Sequence, residues 1–121
     1  MQDYRQLDVW QVGMELAENV YDVTRQFPPE EKFGLTSQMR RTAISVVSNI
    51  AEGNARGSTQ DYIRFLRISR GAAAELDTQL LLSQRLGYLQ EPDDIMCLVQ
   101  RIRRMLQGLL RSLEERANNT S

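Results

Sequence analysis

Apolar residues recur along this chain at intervals of three and four, in four separate stretches. In the first, Val9, Val12, Leu16, Val20, Val23 and Phe27 share one side of a helix turning about 100° per residue, a pattern strand alternation cannot produce. Asp8 is placed to cap its start. Pro28-Pro29 stops it, because proline cannot continue the backbone ladder. The second period runs through Met39, Ala43, Val46, Val47 and Ile50, opened by Thr36 or Ser37 and closed at Gly53. The third opens at Ser58, with Asp61 three residues on as a capping-box-like acid, and carries Tyr62, Phe65, Leu66, Ser69, Ala73, Leu76 and Leu80 before ending near Gly87. The fourth follows Pro92-Asp93-Asp94, residues suited to a helix's first turn, and carries Ile95, Leu98, Val99, Ile102, Leu106, Leu109 and Leu113. Asn118 to Ser121 are expected to fray.

These periods predict helices over about 8–27, 36–53, 58–87 and 92–116 within a single domain, residues 1–121. Short connections leave no room for crossovers, so successive helices should reverse direction. The expected fold is all-α, an up-down-up-down antiparallel four-helix bundle.

Two of the helices carry more apolar surface than one core can bury. The first has a second stripe, Trp10, Met14, Ala17 and Tyr21, pointing well away from Val9 and Leu16. On the third, Leu80, Leu81 and Leu82 span about 200° of arc and cannot all face inward. Opposite its core face lies a line of small residues, Gly71, Ala74 and Thr78, and the second helix aligns Arg41, Ser45, Ser48 and Glu52 on its outer side. A bundle helix can simply bury a wide arc. Surplus apolar area beside a small-residue groove favours an interface between copies, so a homo-oligomer is expected, with these residues at its contacts.

Composition narrows the chemistry. The 121 residues contain no histidine, which removes Ser-His-Asp and Cys-His dyads, imidazole metal sites and the Glu-x-x-His di-iron motif. The single cysteine, Cys97, excludes an intrachain disulfide and a cysteine-cluster zinc site, and it falls off the core stripe with no imidazole to activate it. No cofactor motif is present, and an enzyme is not expected. Met1 to Arg5 lack the pattern of a signal peptide and no apolar run is long enough to span a bilayer, so a cytoplasmic location is expected.

Net charge is −1, but it is unevenly placed: −4 over residues 1–35, +4 over 36–72, −4 over 73–100 and +3 over 101–121. Arg64, Arg67 and Arg70 crowd the first half of the third helix, with Arg56 in the loop before it. Arg104 and Arg111 lie in line on the fourth, flanked by Arg101 and Arg103. Such faces can contact phosphates of RNA or DNA without reading sequence, or they can be solvated faces paired with the acidic segments. No aromatic is interleaved as a base-stacking platform would require.

Other candidates read as structure. Gly53 to Ser58 could cradle a phosphate, but it lacks the Walker lysine and a preceding strand, so an interhelical turn is expected. Glu15 and Glu18 both leave the core face, which argues against a carboxylate metal site. Glu52 also points away from the core, so an arginine of an adjacent copy is its expected partner.

The run Gly34-Leu35-Thr36-Ser37-Gln38-Met39-Arg40-Arg41 leading into Ser48-Asn49-Ile50-Ala51-Glu52-Gly53 resembles the 23S rRNA intervening-sequence proteins, a four-helix-bundle family. Phe65-Leu66, Gly71, Glu75-Leu76-Asp77-Thr78-Gln79, Leu86-Gly87-Tyr88-Leu89, and near the start Val9-Trp10-Gln11, Glu15-Leu16-Ala17 and Val20-Tyr21 extend the similarity over about residues 7–113. Val47 stands where that family often has proline, and Ala72 where it often has serine. The resemblance implies a small bacterial cytosolic protein. It is similar also to accessory proteins of diversity-generating retroelements, which implies a five-membered ring able to bind nucleic acid or a partner protein. The resulting expectation is a non-enzymatic, cofactor-free, homopentameric scaffold; the alternative is a purely protein-interaction module whose arginines serve assembly alone.

Overall fold

The computed structural model describes residues 3–91 and 93–119, for Asp93 the backbone only. Four α-helices dominate: α1 Asp8–Thr24, α2 Leu35–Ala55, α3 Thr59–Arg85 and α4 Asp93–Asn119, with 3₁₀ turns at Tyr4–Gln6 and Pro29–Glu31. Pro92, Thr120 and Ser121 lie outside the described residues, while Asn118 and Asn119 continue α4 as helix.

Helix ends depart from the simplest pattern for local reasons. α1 stops at Thr24, short of Phe27. Pro28 and Pro29 lack the N–H groups that the carbonyls of Thr24 and Arg25 would need, so the last turn is lost. Phe27 stays buried, its ring packed 5.4 Å from that of Tyr88. Asp8 is the first helical residue rather than the cap, which is Leu7 without a side-chain bond. Neither Thr36 nor Ser37 opens α2. Gly34 holds the cap position, and Glu31 Oε1 accepts the Leu35 N–H at 3.2 Å. Ser58 does cap α3, its Oγ accepting the Asp61 N–H at 3.1 Å, and the preceding Gly57 turns the chain at φ +83°.

Gly53 does not end α2, which continues to Ala55. It is buried where α2 and α3 press together: a Cβ placed there would lie 2.8 Å from Phe65 Cβ and 3.3 Å from the Tyr62 carbonyl oxygen. The glycine is therefore a close-approach residue, not a helix stop.

The helices form a closed set of packed neighbours, α1 on α2, α2 on α3, α3 on α4 and α4 back on α1. Cross-helix partners run counter to each other, as antiparallel neighbours must. Ser69 Oγ donates to the Val46 carbonyl at 2.6 Å and Gln79 Nε2 to Thr42 Oγ1 at 3.1 Å, and Ser83 Oγ, which donates to the Gln79 carbonyl, lies 3.4 Å from Met39 Sδ. Likewise Arg67 meets Glu114, Arg70 meets Gln107 and Arg103 meets Asp77. Leu16, Val20, Met39, Ala43, Val46, Ile50, Leu66, Ala73, Leu76, Leu80, Val99, Ile102 and Leu106 make a fully buried core. In α4, Leu110 rather than Leu109 takes the buried position near the end, Leu109 being half-buried.

Candidate interaction surfaces

Each arginine of the two charged stretches meets a different local electrostatic setting. Arg56 is tied to Glu52, one helical turn back, at 2.8 Å. That hydrogen bond and the carboxylate's charge hold the Arg56 guanidinium still more firmly protonated. The chain thus supplies from within the partner that its sequence pattern seeks on a neighbouring copy. Arg56 and Arg64 lie over the ring of Phe65, with centroid distances of 5.1 and 4.9 Å. Phe65 is buried beneath them and offers no free face for a base. Arg67 pairs with Glu114 at 3.4 Å, Arg70 donates to Gln107 Oε1 at 3.1 Å, and Arg103 pairs with Asp77 at 3.3 Å. The α3 arginines and Arg103 therefore knit α3 to α4 or stack on the chain's own aromatic.

The outward face of α4 differs. Arg101, Arg104 and Arg111 are all exposed, and among the described residues none makes an ion pair or hydrogen bond within the chain. With 1.5 Å of rise per residue they extend over about 15 Å of helix axis, sharing a side with exposed Cys97, Gly108 and Glu115. Arg101 stands at the rim of a cleft between α1 and α4 lined by Asp8, Gln11, Glu15 and Glu18, so nearby acids temper its field. Arg104 and Arg111 lie beyond that cleft.

The apolar faces also separate. Leu80 is fully buried while Leu81 and Leu82 are each 46% exposed, as their arc requires. Gly71, Ala74 and Thr78 form an exposed line on α3, and a Cβ at Gly71 would meet nothing within 4 Å. The second α1 stripe is less open than its spacing predicts. Trp10 is half-buried against the core, and the ring of Tyr4, carried by the first 3₁₀ turn, lies 5.5 Å from it. Ala17 packs partly on the core and Tyr21 lies under Arg40, whose guanidinium is 4.6 Å from the ring centre. Of the four, only Met14 is exposed. Arg41 donates to Ser37 Oγ at 2.9 Å on the exterior of α2, with Ser48 exposed and Ser45 half-buried.

Several surface residues escape periodicity. Phe33 is 89% exposed between α1 and α2, and Ile44, Ile68 and Leu86 are about half-exposed. Phe33 belongs to no helical period, so its only sequence signal was a large aromatic between Lys32 and Gly34. Ile44 and Ile68 stand one residue from a core position and could have been found by the wheel argument that exposed Leu81.

Among the described residues, no helix is long and apolar enough to cross a membrane. No curated protein matches this chain. A solved structure from Bacteroides thetaiotaomicron, a protein of unknown function from the S23 ribosomal protein family, is 23% identical and superimposes with a TM-score of 0.75. The match covers 84% of this chain and 97% of that one, and it shows a shared fold. Residues 5–108 match the family described as 23S rRNA-intervening sequence protein. That span takes in α1, α2 and α3 whole and most of α4, and the chain belongs to the 23S rRNA-intervening sequence protein family.

Proposed function

We propose that this protein is a non-enzymatic scaffold that self-associates through its surplus apolar faces and presents the outer side of α4 to nucleic-acid backbones. The observation that carries the nucleic-acid part is the set of exposed arginines, Arg101, Arg104 and Arg111, without partners inside the described chain. Unpaired guanidiniums on one helix face suit phosphates, which they can bind bidentately and without sequence preference. Self-association is supported by Leu81, Leu82, Ile44 and Ile68, each about half-exposed, and by the open small-residue line on α3. Repetition in a ring, five-membered as the family resemblance implies, would multiply a charge pattern that nets only −1 per chain. A reducing, cytoplasmic setting suits the exposed thiol of Cys97.

Fluorescence anisotropy with a labelled single-stranded RNA tests this reading. At about 50 mM salt binding is expected, falling steeply as salt rises because each neutralised phosphate releases counterions. Replacing Arg104 and Arg111 together by Gln should weaken binding and flatten the salt slope, whereas Arg67→Gln should change it little. No binding at low salt would favour the second reading, a protein-interaction module with no nucleic-acid binding, in keeping with Arg56, Arg67, Arg70 and Arg103 being engaged by partners within the chain.

A further inference from the structure

Phe33 poses a physical problem: an aromatic side chain held almost entirely in water, on a segment that is not loose. Glu31 fixes that segment from two directions. Its Oε1 accepts the Leu35 N–H at 3.2 Å and its Oε2 accepts the Tyr88 hydroxyl at 3.0 Å, joining the α1–α2 connection to the α3–α4 connection. The Gly34 N–H bonds the Glu31 carbonyl at 3.0 Å, and a Cβ at Gly34 would lie 2.6 Å from Glu31 Oε1 and so displace that carboxylate from its bond to Leu35. On the other side of Phe33, Phe27 is buried against Tyr88. The phenyl ring is therefore displayed on a pinned turn, so docking it would cost little ordering entropy.

A matching surface exists on the same chain, and Phe33 is not among the residues that line it. Met14, Ala17 and Tyr21 floor a shallow groove along α1, rimmed by Glu18, Asp22 and Arg25. Asp22 is occupied by Arg25, whereas Glu18 has no ion-pair partner among the described residues. Lys32, next to Phe33, likewise has none and lies only against that ring, 5.5 Å from its centre. An aromatic beside an unpaired cation thus faces, in a second copy, an apolar floor of Met and Tyr beside an unpaired anion. Ring–ring and sulfur–ring contacts suit such a pairing.

We propose that Phe33 inserts into the α1 groove of a second copy of this chain, over Ala17, with Lys32 meeting Glu18. The knob and the groove are different parts of the surface, so the contact is head-to-tail and, repeated, closes a ring or extends a filament. The inference rests on the self-association reading above and names the contact that would drive it.

Disulfide trapping and mass measurement separate the two. In a Cys97→Ser background, Phe33→Cys combined with Ala17→Cys should give a ladder of covalent multimers on mild oxidation, and neither single cysteine variant should. Phe33→Glu should weaken assembly by about tenfold or more while leaving helix content unchanged, because the side chain is exposed in the isolated fold. Absence of the ladder, or wild-type assembly by Phe33→Glu, overturns the contact while leaving a multimeric wild type, and hence self-association, standing. A wild type that stays monomeric at micromolar concentration overturns both.

Discussion

Replacing Gly53 by alanine sets two physical effects against each other. In an unhindered helix interior the change stabilises by about 1 kcal/mol, since glycine loses the most backbone freedom on folding. At this position the new methyl would lie 2.8 Å from Phe65 Cβ, 3.2 Å from Tyr62 Cδ1 and 3.3 Å from the Tyr62 carbonyl oxygen. A Cβ and a backbone oxygen cannot swing aside as a flexible side-chain tip can, so α2 and α3 must separate by several tenths of an ångström along a closely packed seam. Overpacking of this kind costs about 1–3 kcal/mol, and backbone contact puts the site near the upper end. The net expectation is destabilisation by about 2 kcal/mol. Urea unfolding followed by far-ultraviolet circular dichroism, at fixed protein concentration, would read this as a midpoint about 1 M lower for a typical denaturant slope. A midpoint at or above wild type would refute the claim that the glycine exists for close approach of the two helices.

Gly71→Ala should move the other way, raising stability by about 0.5–1 kcal/mol in the same assay, because an added Cβ meets nothing within 4 Å; if the small-residue line joins copies, the methyl should also lower apparent mass at a given concentration. Ser58→Ala removes the hydroxyl that accepts the Asp61 N–H and should cost about 1 kcal/mol, with no such loss for Ser48→Ala on the exposed side of α2. At alkaline pH two tyrosines matter: a hydrogen bond to Glu31 holds the Tyr88 phenol above its usual value of 10.0, and burial does the same for Tyr62. The folded state therefore keeps these protons longer than the unfolded chain. Their contribution is fully present below about pH 10 and is lost as pH rises through the higher folded values, so the urea midpoint should fall from pH 9 to 11, less steeply in Tyr88→Phe. A midpoint that rises over that range would show the sign to be wrong.

Spacing alone placed Leu16, Val46, Leu66 and Ile102 inside and Leu81 and Leu82 outside, because a helix turns by a fixed angle and its stripe needs no tertiary information. The end of α1 was less legible: proline's missing donors act on carbonyls up to four residues back, and that cut the helix at Thr24 instead of Phe27. Gly53 read in sequence as a helix stop, and only the position of α3 shows it to be a close-approach residue. Trp10 looked outward on the wheel, but the short turn carrying Tyr4 folds back beside it. The arginines show the same limit more sharply. Clustering in sequence marked Arg64, Arg67 and Arg70 as strongly as Arg104 and Arg111, yet which guanidiniums stay free depends on carboxylates such as Glu114, distant in sequence.

Self-association is the claim on which the ring, the docked phenyl ring and the multiplied charge all depend. Static light scattering coupled to size exclusion measures it directly on the wild-type chain at micromolar concentration. The account predicts a mass that is a whole multiple of the 14.0 kDa chain, with five copies preferred. A single species at 14.0 kDa, unchanged as concentration rises, would contradict it.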